Sequence, residues 1–98
     1  MDKIKNIAEI YKVFSDPTRL KIVKLLSEHK FQCVNAITRK LDITQSAVSQ
    51  HLRILRQVDL VTSERRSNHI HYSLNQKKLI AFNSMVLEVL GKDFITKS

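Results

Sequence analysis

The sequence predicts a mainly α fold of about five helices with one small β-hairpin, and three observations carry that reading. Apolar residues recur at helical spacing along most of the chain. One stretch, residues 60–74, changes to a period of two. With one Gly and one Pro in 98 residues, long irregular loops have little to be built from. A chain of this length forms one domain, expected over residues 1–98, and buries roughly 60–65% of the surface it exposes when unfolded.

In the first segment, Ile4, Ile7, Ala8, Ile10, Tyr11 and Phe14 fall on one side of a helical projection, with Lys5, Glu9 and Lys12 opposite. Ser15-Asp16-Pro17 then supplies a break and a new start. Asp16 can accept a hydrogen bond from a free helix N–H, and Pro17 suits the first helical position, where its missing donor costs nothing. A second helix from about Pro17 to Ser27 carries Leu20, Ile22, Val23, Leu25 and Leu26 around more than half of its circumference, so it is expected to be central and buried. After Glu28-His29-Lys30, a short helix over about Val34–Leu41 presents Val34, Ile37 and Leu41, and Asp42-Ile43 forms a turn.

Thr44 is an N-cap candidate for the next helix, Thr44–Val58, which separates into two faces. Ala47, Val48, Leu52, Ile54, Leu55 and Val58 point one way. Gln45, Ser46, Ser49, Gln50, Arg53, Arg56 and Gln57 point the other, and no acidic residue stands among them. Amides, hydroxyls and guanidinium groups are what bond to base edges and phosphates. Two strands follow, Leu60–Arg66 and His69–Leu74, joined at Ser67-Asn68. Ile70, Tyr72 and Leu74 are expected to face inward, leaving Arg65, Arg66, Asn68 and His69 at a basic tip.

The last helix, about Gln76–Leu90, places Leu79, Phe82, Met85, Val86, Val89 and Leu90 on one broad arc that Ile80 and Leu87 extend, and Gly91 fits a C-terminal cap. So wide an arc exceeds what one face of a small monomer needs, which points to a second subunit. Ile4, Ile7 and Tyr11 of residues 1–14, with Phe82, Met85, Val86, Val89 and Leu90 of residues 76–91, are the dimerisation candidates.

Seventeen Lys and Arg against nine Asp and Glu leave a net charge of +8, with a pI near 9.9. A polyanion is the natural partner, with double-stranded nucleic acid first. The single Cys33 excludes an internal disulfide framework. No stretch reaches the roughly 20 apolar residues that cross a bilayer, and the N-terminus has no apolar leader core. A cytoplasmic protein without membrane partners or cofactor is therefore expected. One Gly cannot build a phosphate loop, and no nucleophile–base spacing is interpretable, so an enzyme is not expected.

A short helix, a turn, a helix with a polar and basic outer face, and a hairpin with an arginine tip together make a winged helix-turn-helix. Residues 34–58 are the helix-turn-helix and 60–74 the wing. Such a helix enters the major groove while the wing reaches the flanking backbone or minor groove. Thr44, Gln45, Ser46, Ser49, Gln50 and Arg53 are the candidate DNA-reading residues of the helix, and Arg65, Arg66, Asn68 and His69 those of the wing.

The runs FSDPTRLKIVKLL, ITQSAVSQHLRILRQVDLV and ERRSNHIHYSL resemble the ArsR/SmtB group of bacterial and archaeal repressors, a resemblance that covers roughly Val13 to Leu74. The resemblance implies a homodimer formed by the first and last helices that binds an inverted repeat and leaves DNA when a ligand or oxidant shifts the dimer. The metal chemistry common in that group does not carry over. Where many members have a Cys-Val-Cys pair, this chain reads Cys33-Val34-Asn35, and where others place Asp and His on the last helix it reads Asn75-Gln76-Lys77-Lys78, then Asn83 and Ser84. No metal site is expected from these positions.

Cys33 is a candidate redox switch, because Lys30 and the start of the third helix would favour its thiolate; the alternative is an inert packing residue. His51 is read as partly buried and hydrogen-bonded, and the His69/His71 pair is too sparse for a metal. The sequence leaves the effector, small molecule or oxidant, unidentified. Two further readings stay open: a DNA binder or autorepressor without an effector, and a winged-helix module that holds a protein partner.

Overall fold

The computed structural model describes residues 2–91; Met1 and residues 92–98 of the expected domain lie outside the described residues. The elements run in the order α1 (Asp2–Phe14), α2 (Pro17–Glu28), β1 (Gln32–Cys33), α3 (Val34–Leu41), α4 (Gln45–Gln57), β2 (Val61–Arg66), β3 (His69–Leu74) and α5 (Gln76–Leu90).

Local chemistry sets most boundaries. Between α1 and α2, Asp16 takes an extended conformation and its Oδ2 accepts the Arg19 N–H at 2.9 Å, with Pro17 opening the helix. Thr44 Oγ1 caps α4 by accepting the Ala47 N–H at 3.1 Å. Thr44→Ala should therefore cost about 1 kcal/mol in a urea melt, and Thr44→Ser much less. Asn75 caps α5 by accepting the Lys78 N–H at 3.2 Å. At the far end the Gly91 N–H donates to the Leu87 carbonyl at 3.2 Å, with Gly91 at φ 97, where a side chain would be strained.

The wing is larger than the expected hairpin. β2 and β3 pair antiparallel around Ser67-Asn68, with Arg66 opposite His69 and Val61 opposite Leu74. β1 adds a third strand on the other edge of β3, pairing Gln32 with Tyr72 and Cys33 with His71. Two residues carry no period that could announce a strand, so only the pairing reveals it.

One cluster of buried side chains draws on α1, α2, α3, α4, α5 and the start of the wing. Ile22, Ile37, Val48, Leu55 and Leu60 are fully enclosed. Three expectations change in depth. Leu20 is 47% exposed rather than buried, because α2 turns only its Ile22, Val23, Leu25 and Leu26 side inward. Ile70 is 40% exposed, since β3 projects past the body towards the tip. Val13, outside the projected stripe, is buried with Ile7 and Ile10. α1 lies against α5 through an edge-on Tyr11–Phe82 contact with ring centroids 5.3 Å apart and a Lys3–Glu88 ion pair at 2.7 Å.

Candidate nucleic-acid interface

α4 packs Val48, Leu52 and Leu55 into the core, and this fixes where its other face looks. Gln45, Ser46, Ser49, Gln50, Arg53, Arg56 and Gln57 are all exposed, as the projection predicts. Ser46, Ser49, Gln50 and Arg53 line one shallow depression. The start of α4 is tied to α3 by the Gln45 Nε2 donating to Asn35 Oδ1 at 3.3 Å.

A second depression joins the helix to the wing. It is lined by Gln45 of α4, by Cys33, Val34 and Asn35 around the start of α3, and by Arg65, Asn68, His69, Ile70 and Tyr72 of the wing. The structure thus brings together α4 and wing residues some twenty positions apart in sequence. Asn35 is the member that sequence reasoning did not single out; its place in the first turn of α3, beside Gln45, shows only once the two helices are packed. Thr44 is exposed, with its oxygen engaged in the cap.

The wing arginines are not equivalent. Arg65 stands opposite Ile70 and reaches the shared depression. Arg66 has its guanidinium 4.1 Å from the centroid of the Phe31 ring, and its Nε lies 3.5 Å from Glu64 Oε2.

Cys33 is half-buried and precedes α3 without making a capping bond. The His69 and His71 rings are 6.4 Å apart, edge to face. Among the described residues, no group of three or more His, Cys, Asp or Glu side chains is placed to hold a metal.

His51 is partly buried, as expected, but it lacks the expected hydrogen bond. Among the described residues its enclosed Nδ1 has no partner, lying 3.8 Å from Asp16 Oδ2, too far for a hydrogen bond. The Asp16 carboxyl is held below its ordinary value of 3.8 chiefly by the Arg19 backbone N–H, with the Arg19 and His51 charges adding to it. A lowered folded value means that this carboxylate favours the fold above about pH 4, and that the benefit drains away as pH falls through the folded value. Asp16→Asn keeps an acceptor for the cap and loses the charge. Its unfolding free energy should therefore fall less steeply below pH 4 than that of the parent, as urea melts from pH 7 to 2.5 would measure.

The dimerisation candidates divide by exposure. Ile4 at 65%, Tyr11 at 47% and Leu90 at 55% lie open, joined by Ile80 at 66%. Ile7 and Phe82 are buried within the chain itself, and Met85, Val86 and Val89 are half-buried against its core. Among the described residues, no helix is long and apolar enough to cross a membrane.

The sequence model of the family described as "Bacterial regulatory protein, arsR family" matches residues 16–63, from the cap of α2 to the first half of β2. An HTH-type transcriptional regulator of Methanocaldococcus jannaschii is 40% identical over 72 residues, covering 74% of this chain and 81% of that protein. The chain belongs to the ArsR family. The transcriptional repressor SdpR of Bacillus subtilis is 32% identical to this ArsR-family chain over 83 residues, 85% of the chain and 91% of the repressor. The homodimeric winged helix-turn-helix DNA-binding domain of Mycobacterium bovis has the same fold, with a TM-score of 0.72 at 21% identity over 92% of this chain and 82% of that one. The chain is a winged helix-turn-helix transcriptional regulator and not an enzyme.

Proposed function

We propose that this regulator is a cytoplasmic repressor that binds an inverted repeat in double-stranded DNA as a homodimer. The observation that carries the reading is that α4 presents Ser46, Ser49, Gln50 and Arg53 in one depression, while Gln45 at its start shares a second with Arg65, Asn68 and His69 of the wing. This surface is hydroxyl, amide and cationic, and it combines a helix that fits a major groove with a hairpin that reaches the flanking backbone. The helix-turn-helix comprises residues 34–58 and the wing 60–74, and α4 is the reading helix. A chain with a net charge of +8 gains affinity by displacing counterions from phosphate.

The dimer reading rests on the apolar side chains left open on α1 and α5, namely Ile4, Tyr11, Ile80 and Leu90. That the Mycobacterium bovis domain of the same fold is homodimeric adds support. Two chains of 11.4 kDa make about 23 kDa. Sedimentation should give that mass at micromolar concentration, and two chains per duplex when operator DNA is added. A monomer that binds no duplex would instead favour a module that holds a protein partner.

A second reading concerns Cys33, which lines the same depression as Gln45 and Arg65. Peroxide would oxidise its thiolate by two electrons to the sulfenic acid, the peroxide being reduced to water. Bulk and polarity would then be added within the proposed DNA surface. Release of operator on peroxide treatment, absent from Cys33→Ser, supports a redox switch; an unchanged affinity leaves a regulator that responds to its own concentration or to another effector.

A further inference from the structure

Arg65 and Arg66 are neighbours in sequence, and the period of two in a strand sends them to opposite faces of the wing. The register decides which face each takes. Arg65 pairs with Ile70, on the face that continues through Tyr72 and Leu74 to the core, and it lines the depression shared with Gln45. Arg66 pairs with His69 and shares the other face with Glu64.

On that face the Arg66 guanidinium meets Phe31 at 4.1 Å from the ring centroid, with the Glu64 carboxylate 3.5 Å from its Nε. Phe31 is unusual in its own right. It adopts φ 55 immediately before β1 and remains 38% exposed. A left-handed backbone is unfavourable for a bulky residue, and water is a poor environment for its ring, so the surroundings must hold it there. A cation over the ring face supplies such a hold, and the carboxylate of Glu64 keeps the cation in place.

We infer that Arg66 is a positioning residue rather than a phosphate contact. Stacked on Phe31, it ties the β2–β3 hairpin to the segment entering β1 and fixes the angle at which Arg65 and Asn68 meet DNA. The inference rests on the DNA-reading function proposed above. It also gives two adjacent arginines at one tip separate tasks, since one presents charge to the nucleic acid and the other braces the strand that carries it.

Salt dependence separates the two roles, because each phosphate of B-DNA that a protein neutralises adds about 0.9 to the slope of log K against log salt. Affinity for an operator duplex would be measured by fluorescence anisotropy at several salt concentrations. Arg65→Ala should flatten the slope by about one unit for each subunit whose Arg65 reaches a phosphate. Arg66→Ala should weaken binding about 2- to 5-fold for each subunit whose wing meets DNA, the weight of an exposed cation–π interaction, with the slope unchanged. Phe31→Ala should weaken binding by the same factor, the double variant no more than either alone, and Phe31→Trp should retain parental affinity.

Amide exchange of the hairpin in the free protein gives a readout that needs no DNA. Exchange should quicken equally in Arg66→Ala and Phe31→Ala and stay at the parental rate in Arg65→Ala. A slope flattened by Arg66→Ala, with parental affinity in Phe31→Ala and unaltered hairpin exchange, would overturn the inference. Failure of the parent protein to bind any duplex would remove the DNA-reading function, while amide exchange would still decide whether the brace exists.

Discussion

Replacing Gln50 or Arg53 with Ala should abolish most of the preference for an operator over random DNA. Both side chains are exposed on the outer face of α4 and line the same depression as Ser46 and Ser49. A side chain that bonds a base edge in bidentate fashion contributes about 1–3 kcal/mol of discrimination, and a symmetric dimer does so twice, about 2–6 kcal/mol in all. Anisotropy against matched and scrambled duplexes at fixed salt measures the difference. Binding to scrambled DNA should change little for Gln50→Ala, because an amide carries no charge to lose. Equal weakening on both duplexes would assign Gln50 to backbone positioning rather than base reading.

Leu55→Ala should be among the most damaging substitutions in the core, costing about 2–5 kcal/mol. Leu55 is 0% exposed on the inner face of α4; its backbone carbonyl, which accepts the Leu60 N–H at 3.0 Å and holds the entry to the wing, is kept in the alanine variant, so the loss is one of packing. Small domains hold only about 5–15 kcal/mol in total, so the loss is a large fraction of the fold's stability. Urea melts at one fixed protein concentration measure it, since dimerisation contributes to apparent stability. Leu20→Ala provides the contrast. Being 47% exposed, Leu20 should lose about 0.5 kcal/mol or less, although its residue type and helical position look like those of a core leucine.

That contrast shows what the sequence discloses and what it withholds. Direction was legible: every residue placed on the inner or outer side of α4 lies where the projection puts it, because one turn of helix fixes one angle per residue. The caps at Asp16 and Thr44 were legible too, since a side-chain oxygen reaching an N–H three residues later is a local event. Depth was not. Leu20 and Ile70 point where apolar residues usually go, but how far the neighbouring elements extend over them depends on the whole assembly.

Non-local pairing was also hidden. β1 exists because Gln32 and Cys33 meet Tyr72 and His71, some forty residues away, and no local pattern marks it. The candidate site divides in the same way. The polar face of α4 and the basic wing tip were readable from residue types, whereas the meeting of Gln45, Asn35 and Arg65 around one depression required the packed helices. The different roles of Arg65 and Arg66 required the strand register, and a left-handed Phe31 could not be read from its neighbours.

Selection of binding sites from a random duplex pool, with purified protein at near-physiological salt, tests the central claim most directly, because that salt suppresses non-specific phosphate binding. A homodimer reading DNA through two copies of α4 should recover an inverted repeat with half-sites about 10 bp apart, one helical turn. Recovery of no shared sequence would contradict the account and turn attention to a protein partner for the same basic face.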